Sequence, residues 1–126
     1  IFHAALKEGR YSCFLAEDQA LPMMYMDDAI RATLELMAAP AEQVIERTSY
    51  NLAGISFTPL DIAAAIRERI PSFTMDCVPD FRQAIAATWP RSIDDSAAQR
   101  DWGWRPRFDL GAMVDAMLDN LRRALG

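Results

Sequence analysis

Apolar and polar positions along the chain change period several times, and each change marks an element. Leu21 to Met26 is a short apolar run that ends in two carboxylates, Asp27 and Asp28. Apolar residues then fall at Ile30, Leu34 and Met37, with Thr33 beside them, which is the spacing of one helix face. The pattern predicts a strand over 21–26 running into a helix over 28–39, stopped by Pro40. Asp27 or Asp28 is expected to cap the first turn, where free backbone N–H groups and the helix dipole favour a carboxylate. Side chains at such a strand end face the rim where open α/β folds bind ligands.

The flanking segments follow the same logic. Residues 1–9 form a helical pattern stopped by Gly9, 11–15 a weakly alternating strand, and 17–20 a polar loop. Residues 41–46 fit a short helix or a loop, and 49–53 a short strand around Tyr50-Asn51-Leu52. Thr58 is a good N-cap, Pro59 suits the first helical position and Asp61 the first turn, so a helix is expected to about Arg69 with Ile62, Ala63, Ile66 and Ile70 on one face. A strand over 73–78 is closed by Pro79, and 81–88 makes a helical turn or two before Trp89-Pro90. Asp94 or Asp95 opens a short helix ended by Gly103. Asp109 caps a final helix whose apolar face is Leu110, Met113, Val114, Met117, Leu118 and Leu121, with Arg122 and Arg123 in its last turn.

Short strands alternating with amphipathic helices define a mixed α/β fold. At least five helices compete for about four short strands, so a sheet that small leaves apolar helix faces uncovered, as at an interdomain contact. The chain begins at Ile1, inside a helical pattern without an N-cap, and is expected to be part of something longer. Its 126 residues suit one domain, 1–126. A net charge of −5 without a basic run argues against nucleic acid. The apolar stretches are too short to span a bilayer, and no charged-then-apolar leader is visible. Cys13 and Cys77 read as two free thiols of a cytoplasmic protein rather than a disulfide. His3 is the only histidine and no Cys-x-x-Cys occurs, which argues against zinc.

Counting removes most catalytic templates. Lys7 is the only lysine and no tyrosine stands four residues before it, so a Tyr-x-x-x-Lys proton-exchange pair is absent. The glycines at 9, 54, 103, 111 and 126 are too scattered for a phosphate loop. A Ser-His-Asp triad would have to use His3, in a helix tail. Pocket-forming groups remain. Met23, Met24, Tyr25 and Met26 sit at a strand end, where methionine adapts its shape and tyrosine joins an apolar body to a polar tip; core packing is the leading reading of the methionines, while Tyr25 fits core and pocket alike. Trp89 lies in a loop, where its ring covers either a small ligand or a neighbouring helix. Trp102 and Trp104, flanking Gly103, read as structural.

The segment Asp95-Ser96-Ala97-Ala98-Gln99-Arg100-Asp101-Trp102-Gly103-Trp104-Arg105-Pro106-Arg107-Phe108-Asp109-Leu110 resembles the C-terminal end of the extended short-chain dehydrogenases and epimerases. There a short helix reaches a Gly-Trp turn and then a final amphipathic helix. The unit from Met23 to Leu36 resembles that family's substrate-side strand and following helix, and Tyr50-Asn51-Leu52 with Ser56-Phe57-Thr58-Pro59 a third landmark. Together with Arg82-Gln83-Ala84-Ile85-Ala86 and Trp89-Pro90, these strings narrow the resemblance to the branch of NAD-dependent L-threonine 3-dehydrogenases. The sugar-nucleotide branch resembles an Arg-Asp-Tyr/Phe stretch where this chain reads Leu21-Pro22-Met23, and an Arg-x-Gly-Asp stretch near Gln83 to Ala87. Such arginines hold a diphosphate, which Leu21 cannot do. Arg82 keeps the sugar-nucleotide alternative open.

The resemblance implies the substrate-binding, C-terminal part of an extended short-chain dehydrogenase, without its N-terminal Rossmann half. In that missing half would lie the Gly-rich loop, most of the NAD site and the Tyr-Lys pair, so no catalytic, cofactor or metal ligand is assigned here. The implied reaction is hydride transfer from the β-carbon of L-threonine to NAD⁺, giving 2-amino-3-ketobutyrate. Trp89 would cover the substrate, with Met24 and Tyr25 lining the floor. The implied partners are L-threonine, the protein's own Rossmann domain and, in the full-length protein, a second subunit. A third reading is a non-catalytic interaction module of the same architecture.

Overall fold

A computed structural model describes residues 1–126. In chain order the elements are α1 (Phe2–Lys7), β1 (Arg10–Cys13), β2 (Leu21–Met23), α2 (Met26–Ala38), β3 (Ile55–Phe57), α3 (Pro59–Arg69), β4 (Thr74–Cys77), α4 (Phe81–Ala86), α5 (Ser96–Trp102) and α6 (Leu110–Leu125). The mixed α/β class holds, but the strands form two separate pairs: β1 parallel to β4, and β2 antiparallel to β3.

Two helix starts follow directly from local chemistry. At α3 the Asp61 amide donates to Thr58 Oγ1 at 3.2 Å and the Thr58 amide donates to Asp61 Oδ2 at 2.8 Å, a complete capping box with Pro59 behind it. At α6 the Ala112 amide donates to Asp109 Oδ1 at 2.8 Å. Both helices turn their periodic face inward. Ile62, Ala63 and Ile66 meet Met113, Val114 and Leu118, and Phe2, Ala5 and Phe73 complete the main core. A second, smaller core gathers Ala32, Ala98 and the fully buried Trp104.

Two expectations are corrected. Residues 49–53 make no strand, because their polar groups are bonded to side chains instead of a ladder. The Tyr50 hydroxyl donates to Asp101 at 2.9 Å, the Ala53 amide to Asp95 at 3.2 Å, and Trp104 Nε1 to the Ala53 carbonyl at 3.0 Å. The strand instead begins just past this segment, at β3, where Gly54 lets the chain pass close to Met23-Met24. A Cβ on Gly54 would sit 2.7 Å from the Met23 carbonyl oxygen. Gly54→Ala is therefore expected to cost about 1–3 kcal/mol, read as a lower midpoint in urea unfolding.

Neither Asp27 nor Asp28 caps α2, whose N-cap is Tyr25 without a side-chain bond. Asp28 turns into the protein instead. It accepts from the Arg107 amide at 2.9 Å and the Phe108 amide at 3.0 Å, and pairs with Arg31 at 2.8 Å. Helix α5 opens at Asp94-Asp95 as expected: Asp95 is its N-cap residue, with a carboxylate that bonds Ala53 and Gln99, and Asp94 accepts from the Ser96 amide at 3.0 Å.

The apolar stripe of α2 faces outward: Met26, Ile30, Leu34 and Met37 are 65%, 53%, 59% and 78% exposed, while Asp28 and Ala32 face inward. This is the uncovered helix face that too few strands predict. No helix is long and apolar enough to cross a membrane.

Candidate functional site

The loops that leave β1 and β4 build a groove of about 250 Å³. Phe14, Leu15, Leu21 and Met23 form one wall, and Ile85 with Trp89 the other. On the first wall the groove continues into an apolar trough of about 200 Å³ over Tyr11, Phe57 and Ile62.

Helix α4 positions the second wall. Asp80 starts it, accepting from the Arg82 amide at 2.9 Å. The Arg82 guanidinium returns to the same carboxylate, with Nη2 at 2.6 Å from Oδ2, and its centre lies 3.4 Å from the centroid of the Phe14 ring. The Arg82 side chain, and then its amide, hold the Asp80 carboxyl below its ordinary range. Arg82 is thus a neutralised cation, stacked and chelated within its own loop.

A pair of glutamines ties the two walls together. Gln83 Oε1 accepts from the Ala16 amide at 2.8 Å, and Gln83 Nε2 donates to Gln19 Oε1 at 2.8 Å. Gln19, itself buried, donates to the Ala86 carbonyl at 3.3 Å. Beyond α4 the Ser56 hydroxyl donates to the Arg91 carbonyl, and Arg91 Nη2 donates to the Asp18 carbonyl at 3.1 Å. Trp89 is therefore held between two anchored segments while its ring stays 59% exposed. A large ring presented on a fixed backbone, beside an apolar groove, is an open cover.

The three residues singled out from sequence are not brought together. Trp89 lines the groove. Met24 packs on the small core around Trp104. Tyr25 stacks on Phe108 with ring centroids 4.4 Å apart, and its hydroxyl accepts from Asn120 Nδ2 at 3.0 Å. Met23, one residue earlier, is the strand-end methionine that faces the groove. The Gln19–Gln83 tie has no sequence signal, because its partners lie 64 residues apart and neither residue type implies a contact.

The residues present form no glycine-rich phosphate cradle. The five glycines are scattered, and the N-termini of α3, α4 and α6 are closed by the carboxylates of Asp61, Asp80 and Asp109. A pyrophosphate at any of these would meet like charge. No group of three or more His, Cys, Asp or Glu side chains is arranged to hold a metal ion.

No protein-family model matches the chain. Among curated proteins it is 49% identical over 120 residues to the mitochondrial L-threonine 3-dehydrogenase of Bos taurus, covering 94% of this chain and 32% of that protein. It is 43% identical over 119 residues to an uncharacterised epimerase/dehydratase of Staphylococcus haemolyticus, covering 94% of this chain and 37% of that one. Among solved structures, a GalE-like L-threonine dehydrogenase from Cupriavidus necator superposes with a TM-score of 0.91 at 62% identity, over 95% of this chain and 43% of that one. The UDP-glucuronic acid 4-epimerase of Bacillus cereus, at 20% identity and a TM-score of 0.79, shares the fold. The chain thus spans about a third of the bovine relative and under half of the C. necator enzyme.

Proposed function

We propose that this chain is the C-terminal, substrate side of an NAD-dependent L-threonine 3-dehydrogenase of the GalE-like short-chain kind. The observation that carries this is the 62% identity to the C. necator threonine dehydrogenase across nearly the whole chain, against 20% to the UDP-sugar enzyme of the same fold. The groove agrees with it. Its walls are mostly apolar, and its one cation, Arg82, is already paired with Asp80. Asp80 occupies Nε and Nη2 of that guanidinium, so a diphosphate would find only Nη1 free, beside a carboxylate that repels it. A small amino acid needs no such cation from these walls.

In this reading a Rossmann domain, which is the intended partner of the chain, holds NAD and the proton-transferring groups. The present residues bind and enclose. Trp89 covers the substrate and excludes water, and Met23, Leu15 and Phe14 supply the apolar bed. Met24 and Tyr25 act from behind, fixing the strand end against Trp104 and Asn120. NAD, when bound, supplies the hydride acceptor. The full-length protein is proposed to be a cytoplasmic homodimer.

The sugar-nucleotide alternative is favoured by the S. haemolyticus relative. Calorimetric titration of the full-length protein, loaded with NAD, separates the two readings. L-Threonine is expected to bind and a UDP-sugar to give no saturable heat. Saturable UDP-sugar binding without threonine binding would overturn the proposal. The 126-residue chain alone is expected to form no NADH from threonine, since it lacks a phosphate cradle and a proton-exchange pair.

A further inference from the structure

Cys13 and Cys77 are 64 residues apart in sequence, yet the fold makes them direct partners across the parallel β1–β4 ladder. Both are free thiols. In-register partners share one face of a ladder, and here that inner face also carries Tyr11 and Met75, while Arg10, Ser12, Thr74 and Asp76 point outward to solvent. Adjacent strands lie about 4.8 Å apart, inside the Cα spacing of about 4.4–6.8 Å that a disulfide spans. The Cβ atoms must close by about an ångström to reach disulfide spacing. These cysteines are the last residues of their strands, where the ladder gives way to loops and such a shift is easiest.

We propose that Cys13 and Cys77 form a reversible disulfide, a redox latch that joins the two loops walling the groove. Access is asymmetric: Cys13 is buried and Cys77 partly exposed. The Cys77 thiolate attacks glutathione disulfide, forming one S–S bond and releasing one glutathione thiolate. The Cys13 thiolate then attacks the Cys77 sulfur of the mixed disulfide and releases the second. Both thiol protons pass to solvent or to the leaving glutathiones. The protein loses two electrons and glutathione disulfide gains them. Burial, and then the neighbouring Cys13 sulfur, push the Cys77 thiol up, so the attacking thiolate is a minor form at neutral pH and bridge formation speeds up as pH rises.

The position gives the bridge a consequence. Past the two cysteines, the Val78 amide donates to the Cys13 carbonyl at 2.8 Å and the Asp80 amide to the Phe14 carbonyl at 3.2 Å. These bonds join the Phe14 wall to the strand exit that leads into α4. A covalent link beside them restrains local opening of that join.

The test is to incubate the reduced, folded full chain with glutathione disulfide, block remaining thiols with iodoacetamide and digest with trypsin without reductant. Peptide 11–31 joined to peptide 70–82, two hydrogens lighter than the separate pair and released by dithiothreitol, is expected. In Cys13→Ser the reaction should stop at glutathionylated Cys77, and in Cys77→Ser the buried Cys13 should react at least about tenfold more slowly. Amide exchange at Val78 and Asp80 should slow by about tenfold in the bridged form. A wild-type protein that stops at the mixed disulfide, or whose two cysteines both end alkylated, would overturn the pairing. Unchanged exchange in a bridged protein would overturn the latch.

Discussion

Replacing Asp28 with alanine is expected to destabilise the fold by about 3–5 kcal/mol, the loss found when one member of a buried charge network is removed. Asp28 is 1% exposed and serves three donors: the amides of Arg107 and Phe108, 79 and 80 residues away in sequence, and the Arg31 guanidinium. Without the carboxylate both amides lose their partner. Arg31, which also donates to the Arg105 carbonyl at 2.6 Å and stacks 4.6 Å from the Trp104 ring, keeps Glu35 at 2.7 Å but loses its buried carboxylate partner. The segment 104–108 would come loose from α2, and with it the lead into α6.

The same residue sets a pH dependence. Burial works to raise the Asp28 carboxyl, but the Phe108 amide, Arg31 and the Arg107 amide together hold it below its ordinary value. A carboxyl lowered by folding contributes fully above its unfolded pKa of about 3.9 and loses that contribution as pH falls through the folded value. Urea midpoints measured from pH 7 down to pH 3 should therefore fall more steeply for the wild type than for Asp28→Asn. Parallel curves would remove Asp28 from the acid transition.

Trp89→Ala in the full-length protein is expected to lower kcat/KM for threonine by about ten- to a thousandfold, the range for lost positioning and water exclusion. Because the ring is 59% exposed and belongs to neither hydrophobic core cluster, thermal stability should stay near that of the wild type. An activity loss with an unchanged Tm assigns Trp89 to the site. Unchanged kcat/KM removes it, and a large fall in Tm makes it structural.

Parts of this fold were legible because they depend on residues close in sequence. Thr58-Pro59-x-Asp61 and Asp109 cap α3 and α6 within one turn, and the inward faces of both helices follow their periodicity. Asp28 reads as a cap by the same reasoning. A carboxylate at a helix start reads identically whether it serves its own helix or turns inward to a distant loop, and only tertiary contacts decide. The α2 stripe is similar: its spacing identifies a helix face but not what that face meets, and in this chain it meets solvent.

The candidate site divides along the same line. Trp89 stood out because a large ring in a loop needs a reason. Met23 lines the groove and Met24 packs by Trp104 because successive residues along an extended strand point to opposite sides. The Gln19–Gln83 tie and the Cys13–Cys77 register arise from strands and loops far apart in sequence, and no local pattern announces them.

The most direct measurement is NADH formation by the full-length protein supplied with NAD and L-threonine, with UDP-sugars assayed alongside for epimerisation. The account predicts saturable, threonine-dependent NADH production and no sugar epimerisation. Epimerisation of a UDP-sugar by a protein inert toward threonine would contradict it.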